Sequence, residues 1–378
     1  MTLPQFPLQP TTQIHETLRR DVRAFLAEAL TDLPASERAR SWTGFDAGFS
    51  AELGKRGWLG MTLPGKYGGH DRDAIERHVV VEELLAAGAP VAAHWIADRQ
   101  SAPLILRNGT EGQRQTILPQ IASGTCFFGI GMSEPNSGSD LASAQSRAQK
   151  TADGWLLNGT KLWTTYGHKA DYMIVFCRTS QSDVRHGGFS QLLVDMTLPG
   201  ITISPVLDIA GEHHFNEVSF KDVVLAPDAL LGKEGDGWAQ VMSELAFERS
   251  GPDRFLSSFV LVDELLRCLK RSPGLAPHDD IGRMVARLII LRQMSLSVAG
   301  RLAQGEQPTL AASIVKDLGA LFEQDVPEIA RRVLSQDAAD PEYARVFHRI
   351  LLAAPSFSLR GGTREILRGI IARGLGLR

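Results

Sequence analysis

The chain is poor in cysteine. Its three cysteines, Cys126, Cys177 and Cys268, lie far apart and form no metal-ligand pattern. An odd count without close pairs suits a reducing compartment and buried, inert thiols. Charge of one sign is also lacking, since the net charge is only −3. That balance gives no reason to expect nucleic acid or an anionic membrane as partner. No apolar run approaches the length of a membrane span. The N-terminal MTLPQFPLQPTTQ has no basic region followed by an apolar core, so no signal peptide and a cytoplasmic location are expected. What is present is ordinary for a soluble globular protein. Of 378 residues, 43% are apolar and 22% charged, enough for two or three domains.

The texture changes twice along the chain. Residues 1–12 are rich in Pro and Thr and read as an arm. Ile14, Leu18, Val22, Phe25, Leu26 and Leu30 then repeat at helical spacing. A short helix from residue 50, broken by Gly57, Gly60, Pro64 and Gly68-Gly69, precedes a helical stretch over 77–87. Residues 88–106 are Ala-rich and mostly uncharged, hence buried, and 113–121 continue the helical texture. From 125 segments shorten and β-branched residues rise. Strands are predicted at 172–177, 188–194, 201–206 and 215–224, the last with Val218 and Phe220 alternating with polar residues. From 230 helical spacing returns, with long apolar stripes over 284–302 and 314–333 that pack as a bundle. Pro327 is expected to kink the last of these. The predicted fold class is α+β: an N-terminal helical domain (1–124), a middle β-barrel or sandwich domain (125–229) and a C-terminal helical bundle (230–378).

The most informative stretch is 127–179. An apolar run ends in the polar loop Ser133-Glu134-Pro135-Asn136-Ser137-Gly138-Ser139-Asp140. Asn158-Gly159, between Trp155-Leu156-Leu157 and Lys161-Leu162-Trp163, predicts a two-residue hairpin turn. A loop dense in Ser, Asn and Gly beside strands carrying Trp and Thr can hold a flat polar ring, with an indole over one face. His213-His214 follow Glu212 and, facing opposite sides of a strand, would not chelate one metal, so no metal site is expected.

The loop and the following Asn158-Gly159-Thr160-Lys161-Leu162-Trp163-Thr164-Thr165 resemble the acyl-CoA dehydrogenase family. So do Gly57-Trp58-Leu59-Gly60, Tyr67-Gly68-Gly69, Gly109-Thr110-Glu111 and the closing Gly361-Gly362-Thr363-Arg364-Glu365-Ile366-Leu367-Arg368. The resemblance covers the whole chain and its α, β, α order. It implies FAD as cofactor and α,β-dehydrogenation of an acyl-CoA thioester in lipid metabolism, a base taking the α proton while flavin N5 takes the β hydride. The same resemblance implies flavin contacts from Ile130, Met132, Ser133, Ser139, Trp163, Thr165, Thr363 and Glu365, and substrate contacts from Ser139 and Arg249. Simpler readings exist beside these: strand core for Ile130 and Met132, a turn or cap for Ser139, and a helix-start charge for Glu365.

Much of the family carries its base immediately before Gly-Thr in the C-terminal loop, where this chain has Gly361. A second family solution places it in a Glu-Arg pair on the first C-terminal helix, matched here by Glu248-Arg249. Glu248 is therefore the expected catalytic base; a structural ion pair with Arg249 or Arg254, or a solvated helix face, fits the same spacing. Many family members hold the adenine half of FAD with an Arg and a Phe-Gly and, further on, a Gln and a Gly-Gly-x-Gly; here the first region, residues 270–275, reads Lys-Arg-Ser-Pro-Gly-Leu and no Gly-Gly-x-Gly precedes the tail. The expected partners are an acyl-CoA, an electron-transfer flavoprotein and further copies of the chain in a dimer or tetramer. A related branch acting on bulky thioesters, such as those of steroid side chains, builds mixed oligomers with shared FAD sites. The alternative is therefore a non-catalytic or FAD-sharing subunit of a hetero-oligomer.

Overall fold

The computed structural model describes residues 3–271, 278–334 and 340–377; the side chains of 244–248 and 278 also lie outside the description. Among the described residues, thirteen α-helices and seven strands follow one another as helices, sheet, helices. Before the sheet come α1 (Gln13–Ala29), α2 (Ala35–Arg38), α3 (Ala47–Lys55), α4 (Ala74–Ala87), α5 (Ala92–Ile96), α6 (Ala102–Asn108) and α7 (Glu111–Ala122). After it come α8 (Gly237–Glu248), α9 (Phe259–Arg271), α10 (His278–Ala303), α11 (Thr309–Val333), α12 (Pro341–Ala353) and α13 (Arg364–Gly374). The helices start where the sequence offers caps. Thr12 with His15, Asp73 with Glu76 and Thr110 with Gln113 form reciprocal capping boxes. Pro327 lies inside α11 without ending it. Helix α12, which no periodicity flagged, is capped by Asp340 with Pro341 in its first turn.

The chain forms two compact units that do not follow sequence order. One contains residues 1–46, 72–92 and 245–378; the other contains 47–71 and 93–244. In the first, α1, α4 and α10 are joined by a buried ion cluster. Arg19 donates to Glu82 (2.8 Å) and to Glu83, Arg23 donates to Glu83 (2.6 Å), and Arg292 donates to Glu82 through Nε (2.6 Å) and Nη2 (3.0 Å). A buried carboxylate pair is tolerated only when guanidinium groups neutralise it and fill its lone pairs.

The second unit holds the sheet: β1 (Phe128–Gly131), β2 (Arg147–Thr151), β3 (Gly154–Thr165), β4 (Tyr172–Arg178), β5 (Phe189–Asp195), β6 (Ile201–Leu207) and β7 (His213–Leu225). The order is β1-β4-β2-β3-β7-β6, with β5 on the other side of β4. The four predicted strands match β4–β7 to within a few residues. Met173, Ile174, Val175, Phe176 and Cys177 on β4 are at most 1% exposed, as expected of a strand covered on both faces. Burial pushes the thiols of Cys126 and Cys177 up to about 12, which leaves them unreactive.

The expected hairpin at Asn158-Gly159 is not there. β3 runs through both residues, and the turn is at Ala152-Asp153, between Thr151 and Gly154. Asn158 and Gly159 instead make a register shift against β7. The Asn158 side chain bridges the strands, accepting from the Asp222 N–H (2.9 Å) and donating to its carboxylate (3.1 Å). Gly159 has φ +143°, and a Cβ there would lie 2.2 Å from Ser146 Oγ. The pair marks a bulge and a close backbone approach, the other condition that selects Gly in a strand.

His78 on α4 is fully enclosed. Burial pushes its imidazole down to about 4, against the pull of Glu82, while Arg292, Arg19 and Arg77 add to the lowering. A histidine neutral in the fold takes up a proton first in the unfolded chain. Its contribution is whole above pH 6.5 and is lost as pH falls toward 4, by roughly 3 kcal/mol at most. Urea unfolding at pH 7, 5 and 4 should therefore show a shallower acid loss for His78→Gln than for the wild type. Equal slopes would show that His78 does not carry the acid sensitivity.

Candidate functional site

In the sheet-bearing unit the residues expected to contact flavin fall on β1, the loop after it and the end of β3. The loop is built on a tight turn. Glu134 N–H donates to Ser137 O (2.7 Å) and Ser137 N–H returns to Glu134 O (3.0 Å), with Pro135-Asn136 between them. Ser137 Oγ donates to Asp140 O (2.9 Å), so Gly138 and Ser139 form an exposed bow. Nothing lies within 4 Å of a Cβ placed on Gly138.

The base of this loop is locked by a pair that sequence reading missed. Lys161, 0% exposed, donates from Nζ to Glu134 Oε1 (2.8 Å) and Met132 O (3.1 Å). The Glu134 carboxylate also accepts the N–H groups of Gln145 (2.6 Å) and Ser146 (2.9 Å). Burial works against the Glu134 charge, but Lys161 and these donors outweigh it and hold the carboxyl below its ordinary value. Burial lowers the Lys161 ammonium, with Glu134 opposing that. Both residues stand in the quoted motifs. The available signal was a lysine at an inward position of a strand, which requires a buried anion. A Cβ on Gly131 would sit 2.9 Å from Lys161 Cγ, so that glycine leaves room for the lysine stem.

Ile130, Met132 and Ser133 are half-buried. Ser133 O accepts the Leu162 N–H (2.9 Å), and Met132 packs beside the Phe176–Phe189 stack. β1 ends the strand path, so one edge has no strand partner among the described residues. At the end of β3 the register shifts again, between Lys161 and Thr164. There Trp163 adopts φ +64° and is 54% exposed. Positive φ is an outlier for a bulky residue, and strain of this kind persists only where its surroundings impose it. Phe215 on β7 stands edge-on to the indole, with ring centroids 5.7 Å apart. Thr165 is half-buried two residues on.

In the other unit, Arg249 follows α8, 2% exposed, and its Nε donates to Gly361 O (3.3 Å). A Cβ on Gly362 would meet Arg249 Nη2 at 3.2 Å. Gly361 and Gly362 have φ +66° and +94°. Arg360 anchors this loop: its Nη2 donates to Asp253 O (3.1 Å), Ser257 Oγ (2.6 Å) and Glu323 (2.8 Å), and its guanidinium lies 4.1 Å over Trp42. Thr363 is the N-cap residue of α13, and Glu365 lies in the first turn. The helix-start N–H and the Thr363 hydroxyl lower the Glu365 carboxyl. Glu248, the expected base, is the last residue of α8, but its side chain lies outside the described residues. His213 is exposed and His214 buried, on alternating sides of β7.

Comparison with known proteins fits this arrangement. The acyl-CoA dehydrogenase N-terminal, middle and C-terminal domain models match residues 12–125, 129–223 and 235–376. The chain belongs to the acyl-CoA dehydrogenase family. It is 32% identical over 386 residues to acyl-CoA dehydrogenase IpdE1 of Mycobacterium tuberculosis (strain ATCC 25618 / H37Rv), covering 96% of this chain and 97% of that one. Its structure is similar to the "Tcur3481-Tcur3483 steroid ACAD" (TM-score 0.87, 26% identity, 98% of this chain and 99% of that one). It also resembles a chain of the ChsE4-ChsE5 complex from Mycobacterium tuberculosis (TM-score 0.84, 28% identity, 98% and 99% covered). The α, β, α order read from this dehydrogenase's sequence is that of its family.

Because Lys161 and Glu134 are both buried, removing the lysine leaves a carboxylate without its cation. Lys161→Met is expected to cost about 3 kcal/mol in urea unfolding and to make residues 133–146 more open to limited proteolysis. Unchanged stability would show that the pair does not hold the loop.

Proposed function

We propose that this acyl-CoA dehydrogenase uses FAD to remove hydrogen from the α and β carbons of an acyl-CoA thioester, with Glu248 taking the α proton. Trp163 carries the flavin reading. A half-exposed indole in a strained backbone conformation, beside an open strand edge and a hydroxyl-rich loop, has the character of a platform for a flat heteroaromatic ring. When bound, FAD supplies the hydride acceptor. Trp163 would cover a ring face, Ile130 on β1 with Met132 and Ser133 just after it would satisfy ring heteroatoms, and Thr165 would serve the polar edge. Ser139 reaches cofactor and thioester from the exposed bow. For Thr363 and Glu365, at the start of α13, the family resemblance supports a cofactor role.

The assignment of the base rests on the Arg249–Gly361 link. Gly361 has no side chain to take a proton, and the residue next to Glu248 is bonded to its carbonyl at 3.3 Å. The side chain next to one of the family's two base positions thus bonds the backbone of the other, within one unit. This supports Glu248 as the replacement, with Arg249 holding the tail loop and contributing charge toward the thioester.

The electrons pass to an electron-transfer flavoprotein in this reading, and the chain works as an oligomer. A second reading, that the chain is a non-catalytic or FAD-sharing subunit, draws on the missing Gly-Gly-x-Gly and on the likeness to the Tcur3481-Tcur3483 and ChsE4-ChsE5 structures, each named for two components. Colour separates the two: a chain that stays colourless when FAD is added favours the subunit reading. The base is tested by Glu248→Gln. Mixed anaerobically with acyl-CoA substrate, the variant should keep its bound flavin yet bleach at least about 100-fold more slowly, the scale of one lost general base. Bleaching at the wild-type rate would remove Glu248 from the mechanism.

A further inference from the structure

The strain at Trp163 must be held by something, and the holder is on β7. Asn216 is 0% exposed. Its Nδ2 donates to Thr164 O (3.0 Å), the carbonyl next to Trp163 and the residue at which the β3–β7 register resumes. A carbonyl can only accept, so this contact settles the amide orientation and turns Asn216 Oδ1 the other way. There it lies 3.0 Å from His168 Nδ1 and 2.8 Å from His213 Nε2. Both imidazoles must donate, which fixes the proton of His168 on Nδ1 and that of His213 on Nε2. Their rings stack at 4.1 Å and 21°. The buried amide is thus gripped on one side by two rings and pulls on the bulge with the other. Such a network immobilises its members, because a broken bond leaves a buried polar atom unpaired.

The geometry points to Asn216 as a positioning residue: through the Thr164 carbonyl, and backed by His168 and His213, it sets the pose in which Trp163 meets FAD. The link to FAD rests on the flavin reading above; the hold on Trp163 does not. A generic strand contact would loosen the sheet without singling out one indole. The Thr160 Oγ1–Ser219 Oγ contact (3.1 Å), on the same two strands, is such a contact and serves as control.

The test uses the full chain labelled with 5-fluorotryptophan. The six tryptophans give separate fluorine resonances, with Trp163 assigned by Trp163→Phe. Asn216→Asp replaces the donating NH2 by an oxygen while keeping an acceptor for both imidazoles. It should shift or broaden the Trp163 resonance beyond its wild-type linewidth and leave the Trp155 resonance in place. FAD titration of the same samples should show about tenfold weaker binding, the scale of one lost buried hydrogen bond. Thr160→Val should change neither readout. An unmoved Trp163 resonance, an equal displacement in Thr160→Val, or a displaced resonance with wild-type FAD affinity would each overturn the proposal. If Asn216→Asp does not fold, His213→Ala, at an exposed position, removes one donor. It should move the same resonance by a smaller amount, and no movement counts against the proposal. Failure of the wild-type chain to bind FAD would sink the flavin reading, while the fluorine spectra would still decide whether Asn216 holds Trp163.

Discussion

One buried ion pair organises the candidate flavin site. Lys161 leaves β3, passes over Gly131 and ends on Glu134 and the Met132 carbonyl. Glu134 in turn captures the N–H groups of Gln145 and Ser146, just ahead of β2. Four pieces of chain that approach one another only through folding thus share one charge pair: the end of β1, the polar loop, the start of β2 and β3. Neither charge is tolerable alone at that depth. The loop therefore cannot shift without exposing a cation or an anion to an apolar interior, and Gly138 and Ser139 project from a fixed base.

The same strand carries two irregularities with different purposes. At Asn158-Gly159 the bulge admits Ser146, and a glycine relieves the crowding. At Trp163 no glycine is present. A bulky residue is kept at positive φ by pairing on both sides and by the Asn216 amide. An irregularity that glycine could have relieved, but that carries an exposed indole, is a feature of the site rather than a defect of the sheet.

The unit without the sheet solves a different problem. A tail loop with two positive-φ glycines has little rigidity of its own. Arg360 supplies it by bonding a main-chain carbonyl, a hydroxyl and the fully buried Glu323 while stacking on Trp42, and Arg249 closes the loop from the side of α8. Gly361 offers no side chain to this loop, yet the loop is held firmly.

Much of this protein was legible in the sequence. Helices follow from apolar spacing and from caps such as Thr12, Asp73 and Thr110, which act on their own neighbours. β4–β7 follow from β-branched runs, and the loop at 133–140 and the tail at 361–368 follow from local motifs that also carry the family. Tertiary structure decided what depends on residues distant in sequence. Asn-Gly at 158–159 became a bulge because Ser146 and Asp222 lie against it, and a dipeptide cannot report what will be packed beside it. Lys161 and Glu134, separated by 27 positions, are two ordinary surface residues on paper. Burial alone makes them a pair. Asn216 is a polar residue in a strand until His168, His213 and Thr164 surround it. Local chemistry set the elements and the kind of ligand they suit. Long-range packing set which polar groups are buried, and so which of them must hold the site in place.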